Sequence, residues 1–395
     1  MIASSRSLGF SALVLAVALV ACGGDSPTSS GGGGGGPDPA PTDTLRPPDP
    51  GLSYTLGCLA ALPIENCLGG NLAPDAIQSI RDPQWFTVED ADYLADGDRV
   101  FGMEAGGRFY AFPRKIMNWH EAVTFNVLGD SGETLFRTTA SWCPLTFSFI
   151  EWRNPNWKNP ANGRASSFGI SGSLLDNNLV MYDRETRTTW SQIMGLGLAG
   201  PHAGACLEMG RHSVDTTWKI WRTLHPGTLV LTNTPSLPSP FNPDNYNINP
   251  YATYWAGRVK PPEKITFPDH RVPDQRVVVA VHGRDGSAAV LVGGRDTGRT
   301  TVGGTPVVFL MDPVSETIFA FENNIEGKAR SFIASAPGED GLPRFRDTDS
   351  GTVWSLDGIG LSGPLAGKRM AQVPAFRVYW FAWASLFPGT EVKSL

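Results

Sequence analysis

Charge is scarce in this 395-residue chain, and long apolar runs are scarcer still. Only 18% of the residues are Asp, Glu, Lys or Arg, and the formal net charge is −6. Without a basic excess there is no face to neutralise a phosphate backbone, which excludes nucleic acid as a main partner. A single apolar run, from about Leu8 to Val20, excludes a polytopic membrane protein. The five cysteines include no Cys-x-x-Cys pair and no zinc-type cluster. Phosphate loops, dinucleotide-binding glycine fingerprints and His-Glu-x-x-His helices are all missing. Acidic residues are scattered, with no spacing that singles out a catalytic carboxylate pair.

What is present bounds the architecture. Hydrophobic residues make up 41%, enough for a real core, and the length suggests about two domains. With 45 Gly and 32 Pro, turns and loops are abundant. The N-terminus reads as an address. Arg6 is the only charge before the apolar run, which has signal-peptide length and is short for a membrane span. The run ends in Leu19-Val20-Ala21-Cys22, which resembles a bacterial lipobox, where the cysteine thiol takes a diacylglyceryl group. An ordinary signal peptide with a chance cysteine is the competing reading. The expectation is a signal peptide over 1–21, lipidation at Cys22, and a membrane-anchored protein of the cell envelope, on the outer membrane facing the periplasm or on the cell surface. Residues 22–50 hold Gly31 to Gly36 and a proline series, bury little apolar area and read as a disordered tether. As a coil it would span roughly 30 Å. If Cys22 carries lipid, four cysteines remain. Cys58 and Cys67 are expected to pair as a disulfide, worth about 2.7 kcal/mol by loop entropy. Cys143 and Cys206 either pair or stay as thiols.

Self-comparison is the most informative step. Ser167-Phe168, Ser171, Asp183 and Trp190 recur as Ser331-Phe332, Ser335, Asp347 and Trp354. Gly200-Pro201 recurs as Gly363-Pro364. Trp218, Trp221 and Pro226-Gly227-Thr228 recur as Trp380, Trp383 and Pro388-Gly389-Thr390. The expected organisation is an N-terminal segment over 51–96, a first copy over 97–231, a Pro/Asn-rich connection over 232–272 and a second copy over 273–395. Strand-like runs include Arg108–Phe112, Thr134–Trp142, Thr146–Trp152, Asn178–Tyr182, Arg276–Val281, Pro306–Leu310 and Thr317–Phe321. Trp218, Trp221 and Leu224 fall on one helical face, as do Trp380, Trp383 and Leu386, and Pro113–His120 reads as a further short helix. The fold class expected is mainly β with few short helices, as two tandem copies of one β-rich module.

The duplication offers an internal control: residues found in both copies serve the scaffold. Asp183 and Trp190 read as a turn cap and a core residue, and Ser171 as a backbone hydrogen-bonder. His225 aligns with Phe387 and His202 with Leu365, so both are expected to pack; His212, His270 and His282 are expected at the surface. His120, Glu121 and Cys143 lack counterparts, since Asp312-Pro313 stands where Cys143-Pro144 would. A neutral imidazole and a thiolate form a nucleophile–base pair and also a soft-metal pair. These three are therefore the candidate catalytic residues, and a soft metal ion at His120/Cys143 the candidate cofactor. The bland alternatives are a buried packing thiol and an imidazole that satisfies backbone carbonyls. Trp152 and Trp157, set among asparagines and prolines, could form a stacking surface for a ligand or simply pin a loop.

Several ordered motifs also resemble a known family. Asp82-Pro83, Phe109-Tyr110-Ala111-Phe112-Pro113, Trp119-His120-Glu121, Cys143-Pro144-Leu145, Phe168-Gly169-Ile170-Ser171-Gly172, Leu179-Val180-Met181-Tyr182-Asp183-Arg184 and Thr189-Trp190 resemble the family called domain of unknown function 3179, over nearly all of 80–392. The resemblance implies an often exported protein and no assignable activity. Thr146 and Phe147 follow the Cys-Pro-Leu motif where the family often has a further polar residue or second cysteine, and Thr124-Phe125 depart from its His-Glu-x-x-Asn-Asp stretch. The function expected is a ligand-binding or structural envelope module, its partner a membrane through the lipid and an envelope glycan, peptide or protein. A thiol/His redox or metal-binding enzyme is the alternative.

Overall fold

A computed structural model describes residues 68–70, 72–155, 165–210, 213–261 and 265–395. Alternating and β-branched runs become strands, arranged among the described residues in six sheets. The first helix-bearing sheet orders Ser213–Thr217, Arg99–Ala105, Arg108–Pro113, Leu229–Leu231 and Trp85–Phe86. A second orders Ala375–Tyr379, Val277–His282, Ser287–Leu291 and Glu391–Ser394. In each, a short helix crosses over to a final strand that pairs parallel, Leu229 with Tyr110 and Ala288 with Glu391. Antiparallel neighbours can be joined by a tight turn, whereas a parallel pair needs such a crossover. Two meanders follow the same logic: Ala122–Leu128, Thr134–Cys143 and Ser148–Arg153, then Thr297–Val302, Thr305–Asp312 and Thr317–Glu322. Two further sheets order Leu68–Gly69, Phe168–Leu175, Asn178–Asp183, Thr189–Ser191 and Gly197–Ala199, and Phe332–Ser335, Arg344–Asp347, Val353–Ser355 and Gly360–Ser362. The fold is mainly β, with α1 (Arg114–His120), α2 (Trp218–Leu224), α3 (Ala252–Trp255) and α4 (Trp380–Leu386) as its α-helices among the described residues.

Local chemistry explains the recurring motifs. Asp183 accepts from the Thr186 N–H and from Trp190 Nε1 at 3.1 Å. Asp347 accepts from the Ser350 N–H and from Trp354 Nε1 at 3.0 Å. Both carboxylates are fully buried, a state that is tolerable only because donors surround them. Trp221 Nε1 donates to Thr228 Oγ1 at 2.9 Å and Trp383 Nε1 to Thr390 Oγ1 at 3.0 Å. Each indole thus ties its helix to the strand after the Pro-Gly stop. Ser171 donates to the Val180 carbonyl, as a backbone hydrogen-bonder should. Pro113 occupies the N-cap of α1 rather than its first turn. His225 packs between Phe109 and Trp221, with ring centroids at 3.8 and 4.0 Å. His202 is only half-buried. His282 corrects a surface expectation: it is buried, Nδ1 lies 2.6 Å from Ser287 Oγ, and desolvation holds its pKa down to about 4. His270 is exposed as expected, and His212 lies outside the described residues.

The cores do not respect the halves of the sequence. Along Arg99–Ala105 and Arg108–Pro113, alternate side chains point to opposite faces. Phe101, Met103, Tyr110 and Phe112 join a core with Trp142 and Phe149 of the first meander and with Trp380, Phe381 and Trp383 of α4. Val100, Phe109 and Ala111 join α2 and the second meander's Val308, Leu310, Phe319 and Phe321. Val279 and Val281 face a third core with Phe309 and Met311. The first part's meander thus packs through Ser148–Arg153 on Ala375–Tyr379 of the second part's helix-bearing sheet, and the second meander's Thr317–Glu322 packs on Ser213–Thr217 of the first. At the seam Thr216 Oγ1 lies 2.8 Å from Thr317 Oγ1, and the Tyr379 N–H donates to the Thr146 carbonyl at 2.8 Å.

Candidate functional site

Strand Thr134–Cys143 leads into a four-residue hairpin loop whose last residue, Phe147, takes φ 57°; in the second meander Glu316 takes φ 56° at the matching place. The Cys143 thiol is 2% exposed and accepts from the Leu179 N–H at 3.3 Å. Behind it lies a closed polar network. Asn178 Nδ2 donates to Thr146 Oγ1 and Gln192 Oε1 at 3.0 and 2.8 Å, and Ser148 Oγ donates to Gln192 Oε1 at 2.9 Å. All four residues are fully buried. A satisfied network of this kind fixes a turn rigidly. Cys143 is a free thiol and Cys206 is disulfide-bonded, so the two do not pair. Cys22 and the pair Cys58–Cys67 lie outside the described residues.

Glu121 sits beside this turn as the left-handed C-cap of α1, with φ 57°. Its backbone carbonyl accepts from the Trp142 N–H at 2.7 Å, and its buried Oε1 accepts from Tyr251 OH at 3.0 Å. Desolvation raises the carboxyl to about 7. Burial, reinforced by the Glu121 charge, raises the Cys143 thiol to about 11. Only about a thousandth of such a thiol is ionised at pH 8, so it is a poor nucleophile. Iodoacetamide at pH 8 is therefore expected to leave Cys143 unmodified in the native protein and to label it in urea, read by peptide mass spectrometry. Rapid labelling of the native protein would contradict this burial.

His120 faces elsewhere. Its Nδ1 is 2.7 Å from the Gln78 carbonyl and its Nε2 is 2.7 Å from Tyr246 OH. A carbonyl only accepts, so Nδ1 carries the proton and Nε2 receives the tyrosine hydrogen. Desolvation holds the ring neutral, with its pKa lowered to about 4. No hydrogen bond joins His120 to Cys143, so the nucleophile–base pair is not assembled. A soft metal does not fit either: the imidazole lone pair is taken, the thiol is protonated, and no group of three His, Cys, Asp or Glu among the described residues is placed to hold an ion. Trp152 is also corrected. It is 1% exposed and its Nε1 donates to the Gln192 carbonyl at 2.8 Å, so it is a core residue and not a stacking surface. Trp157 lies outside the described residues.

The connection between the halves contributes more than its composition suggested. It forms a strap whose aromatic residues are hydrogen-bonded into the first part. Tyr246 meets His120, Tyr251 meets Glu121, Tyr254 OH donates to the Leu145 carbonyl at 2.6 Å, and Trp255 Nε1 donates to the Pro144 carbonyl at 2.9 Å. Two cavities open on either side of Trp255. One, of about 520 Å³, is lined by Phe147, Trp255, Arg295, Glu316, Arg377 and Tyr379, among others. The other, of about 280 Å³, lies against Arg99, Arg114, Lys115, Asn118, Asn249 and Trp255. A larger hollow of about 910 Å³ is lined by Arg81, Asp82, Arg137, Ala165, Arg184 and Glu185, among others.

Three guanidinium groups converge on Asp215 at this seam: Arg99 at 2.7 Å, Arg377 at 3.4 Å and Arg114 at 3.9 Å. Arg377 also holds Glu316 at 2.8 Å. Burial pushes the Arg114 guanidinium below its ordinary value, an effect that Asp215 opposes and its fellow arginines reinforce. Sequence reading missed this node. The signal was there, because Asp215 and Arg377 stand two residues before the N-cap positions Thr217 and Tyr379 of the two Trp-x-x-Trp helices.

Among curated proteins and among solved structures, no match was found. A family model described as "Protein of unknown function (DUF3179)" matches residues 74–390, and the chain belongs to that family.

Proposed function

We propose that this chain is a lipid-anchored protein of the cell envelope, built from two copies of one β-rich module, that binds a small ligand at the seam between them. The cavities flanking Trp255 carry the reading. The larger lies where both halves and the strap meet and the smaller between the first half and the strap, and together they are lined by aromatic, amide and guanidinium groups, the mixture typical of ligand pockets. The reactive side chains of the first half, by contrast, are buried and hydrogen-bonded, which speaks against the thiol-based alternative. The repeated Asp–Trp and Trp–Thr hydrogen bonds support the duplication. The sequence around Cys22 supports the anchor.

Two measurements test the two parts of the proposal. In a bacterial host that exports and acylates such precursors, the full chain is expected in the membrane fraction, and Cys22→Ser is expected to move it to the soluble fraction. A wild-type chain found entirely soluble would rule out the anchor. For binding, thermal unfolding is followed against neutral glycans, short peptides and small organic acids. At least one class should raise the midpoint, and Trp255→Ala should abolish the rise. A protein indifferent to every class would rule out the ligand pocket.

A further inference from the structure

Arg114 is the cation at the seam whose donors are not spoken for. Its side chain is 22% exposed, and the nearest carboxylate oxygen, at 3.9 Å, is beyond hydrogen-bond reach. A guanidinium presents several N–H donors in a rigid fork, and none of those on Arg114 is hydrogen-bonded to a described residue. Asp215 already receives Arg99 Nη2 at 2.7 Å and Arg99 Nε at 3.0 Å. The fork is nonetheless held in place, since its carbon lies 5.1 Å from the centroid of the Trp255 ring and 5.8 Å from that of Phe147. Lys115, beside it, is engaged by Asp98 at 2.9 Å. With Arg99, Arg114 and Arg377 set against Asp215 and Glu316, the seam keeps one positive charge in excess in a chain of net charge −6.

The cavity at Arg114 is polar elsewhere. Asn118, Asn247 and Asn249 line it. The Asn249 Oδ1 accepts from the Tyr251 N–H at 3.0 Å, and its NH₂ group donates to no described residue. The exposed Asn247 side chain is likewise without a hydrogen bond to a described residue. A preoriented guanidinium fork suits a planar or tetrahedral oxyanion, and side-chain amides suit hydroxyl groups. We propose that this cavity seats a small hydroxylated acid, a sugar carboxylate or sugar phosphate, with its oxyanion on Arg114 and its hydroxyls on Asn247 and Asn249. The inference rests on the reading of the seam as a ligand site and names the ligand's chemistry.

The test is calorimetric titration of the full chain in detergent with glucuronate, glucose 6-phosphate, glucose and inorganic phosphate. One or both sugar acids are expected to bind at least tenfold more tightly than glucose and than phosphate alone, and the tighter of the two identifies the oxyanion. Arg114→Gln should remove that advantage, and Asn247→Ala, at an exposed position, should weaken binding several-fold with an unchanged melting midpoint. Glucose binding as tightly as both sugar acids would overturn the proposal. So would a folded Arg114→Gln variant that keeps the advantage; if that variant does not fold, an Asn247→Ala variant with undiminished binding is the overturning result. A neutral glycan or peptide that binds while both sugar acids fail would sink the oxyanion seat and leave the seam as a ligand site. Failure of every ligand class would sink both.

Discussion

Glu121→Gln is expected to make the protein more stable at pH 8, by about 3 kcal/mol, and to change little at pH 4. The carboxyl is buried and its folded-state pKa is raised from 4.5 to about 7. The folded chain therefore holds a proton that the unfolded chain releases between those values. Stability falls as pH rises through that window, and above about pH 7 the folded protein carries a buried ionised carboxylate with one hydroxyl partner, Tyr251. Glutamine keeps the shape and the acceptor for Tyr251 and removes the charge. His120 and His282 act in the opposite direction. Each is lowered from 6.5 to about 4 in the folded state. Their contribution is complete above about pH 6.5 and is lost as pH falls toward 4. Between pH 4.5 and 6.5 the wild type should thus gain stability with the slope of about one proton, and Glu121→Gln with the slope of about two. Urea unfolding at several pH values measures both slopes. An equal stability difference between the two proteins at pH 4.5 and pH 8 would show that this carboxyl does not titrate as described.

A neutral Glu121 below about pH 7 also lightens the electrostatic load on Cys143, whose thiol is raised partly by that charge. Carboxyl, thiol and Tyr251 phenol form one desolvated group beneath the strap. Their chemistry at neutral pH is that of hydrogen-bonded packing, and the reactive-looking residue types are what mislead a reader who sees only the sequence.

Much of the frame was legible because it depends on local pattern. The runs around Arg108–Pro113 and Thr305–Asp312 declared themselves as strands, and the Trp-x-x-Trp faces declared α2 and α4. What escaped were features set by long-range contact. Trp152 looked exposed among asparagines, yet its indole reaches the Gln192 carbonyl forty residues away and is sealed in the core. His282 looked polar in context, yet α4 closes over it, with the Trp383 ring centroid at 5.6 Å. His120 and Cys143 were candidates for a pair because both lack counterparts in the second half, but absence of a counterpart says nothing of orientation. Tyr246, Tyr251, Tyr254 and Trp255 were an available signal, since a plain linker has little use for four large aromatics in ten residues.

Neither half of the chain is expected to fold alone. The natural expectation for a tandem duplication is two independent domains, and the cores deny it. In residues 265–395 by themselves, Phe376, Val378, Trp380, Phe381 and Trp383 would lose the first-part residues of the core they share, Tyr110, Trp142 and Phe149 among them. At about 1.5–3 kcal/mol for each side chain returned to water, the five together amount to about 10 kcal/mol. That rivals the 5–15 kcal/mol by which whole domains are stable. The reciprocal loss falls on residues 51–261, where Trp218, Trp221 and Leu224 would lose Val308, Leu310 and Phe319. Each fragment should bind a hydrophobic dye and melt without a cooperative transition, and mixing the two should restore one transition as each covers the other's helix-bearing sheet. A cooperative transition in either fragment alone would mean that its core closes without its neighbour. The proposed ligand site at the seam would then depend on docking between two finished domains. If both fragments instead require each other, the seam's charges are held by the same packing that keeps the chain folded.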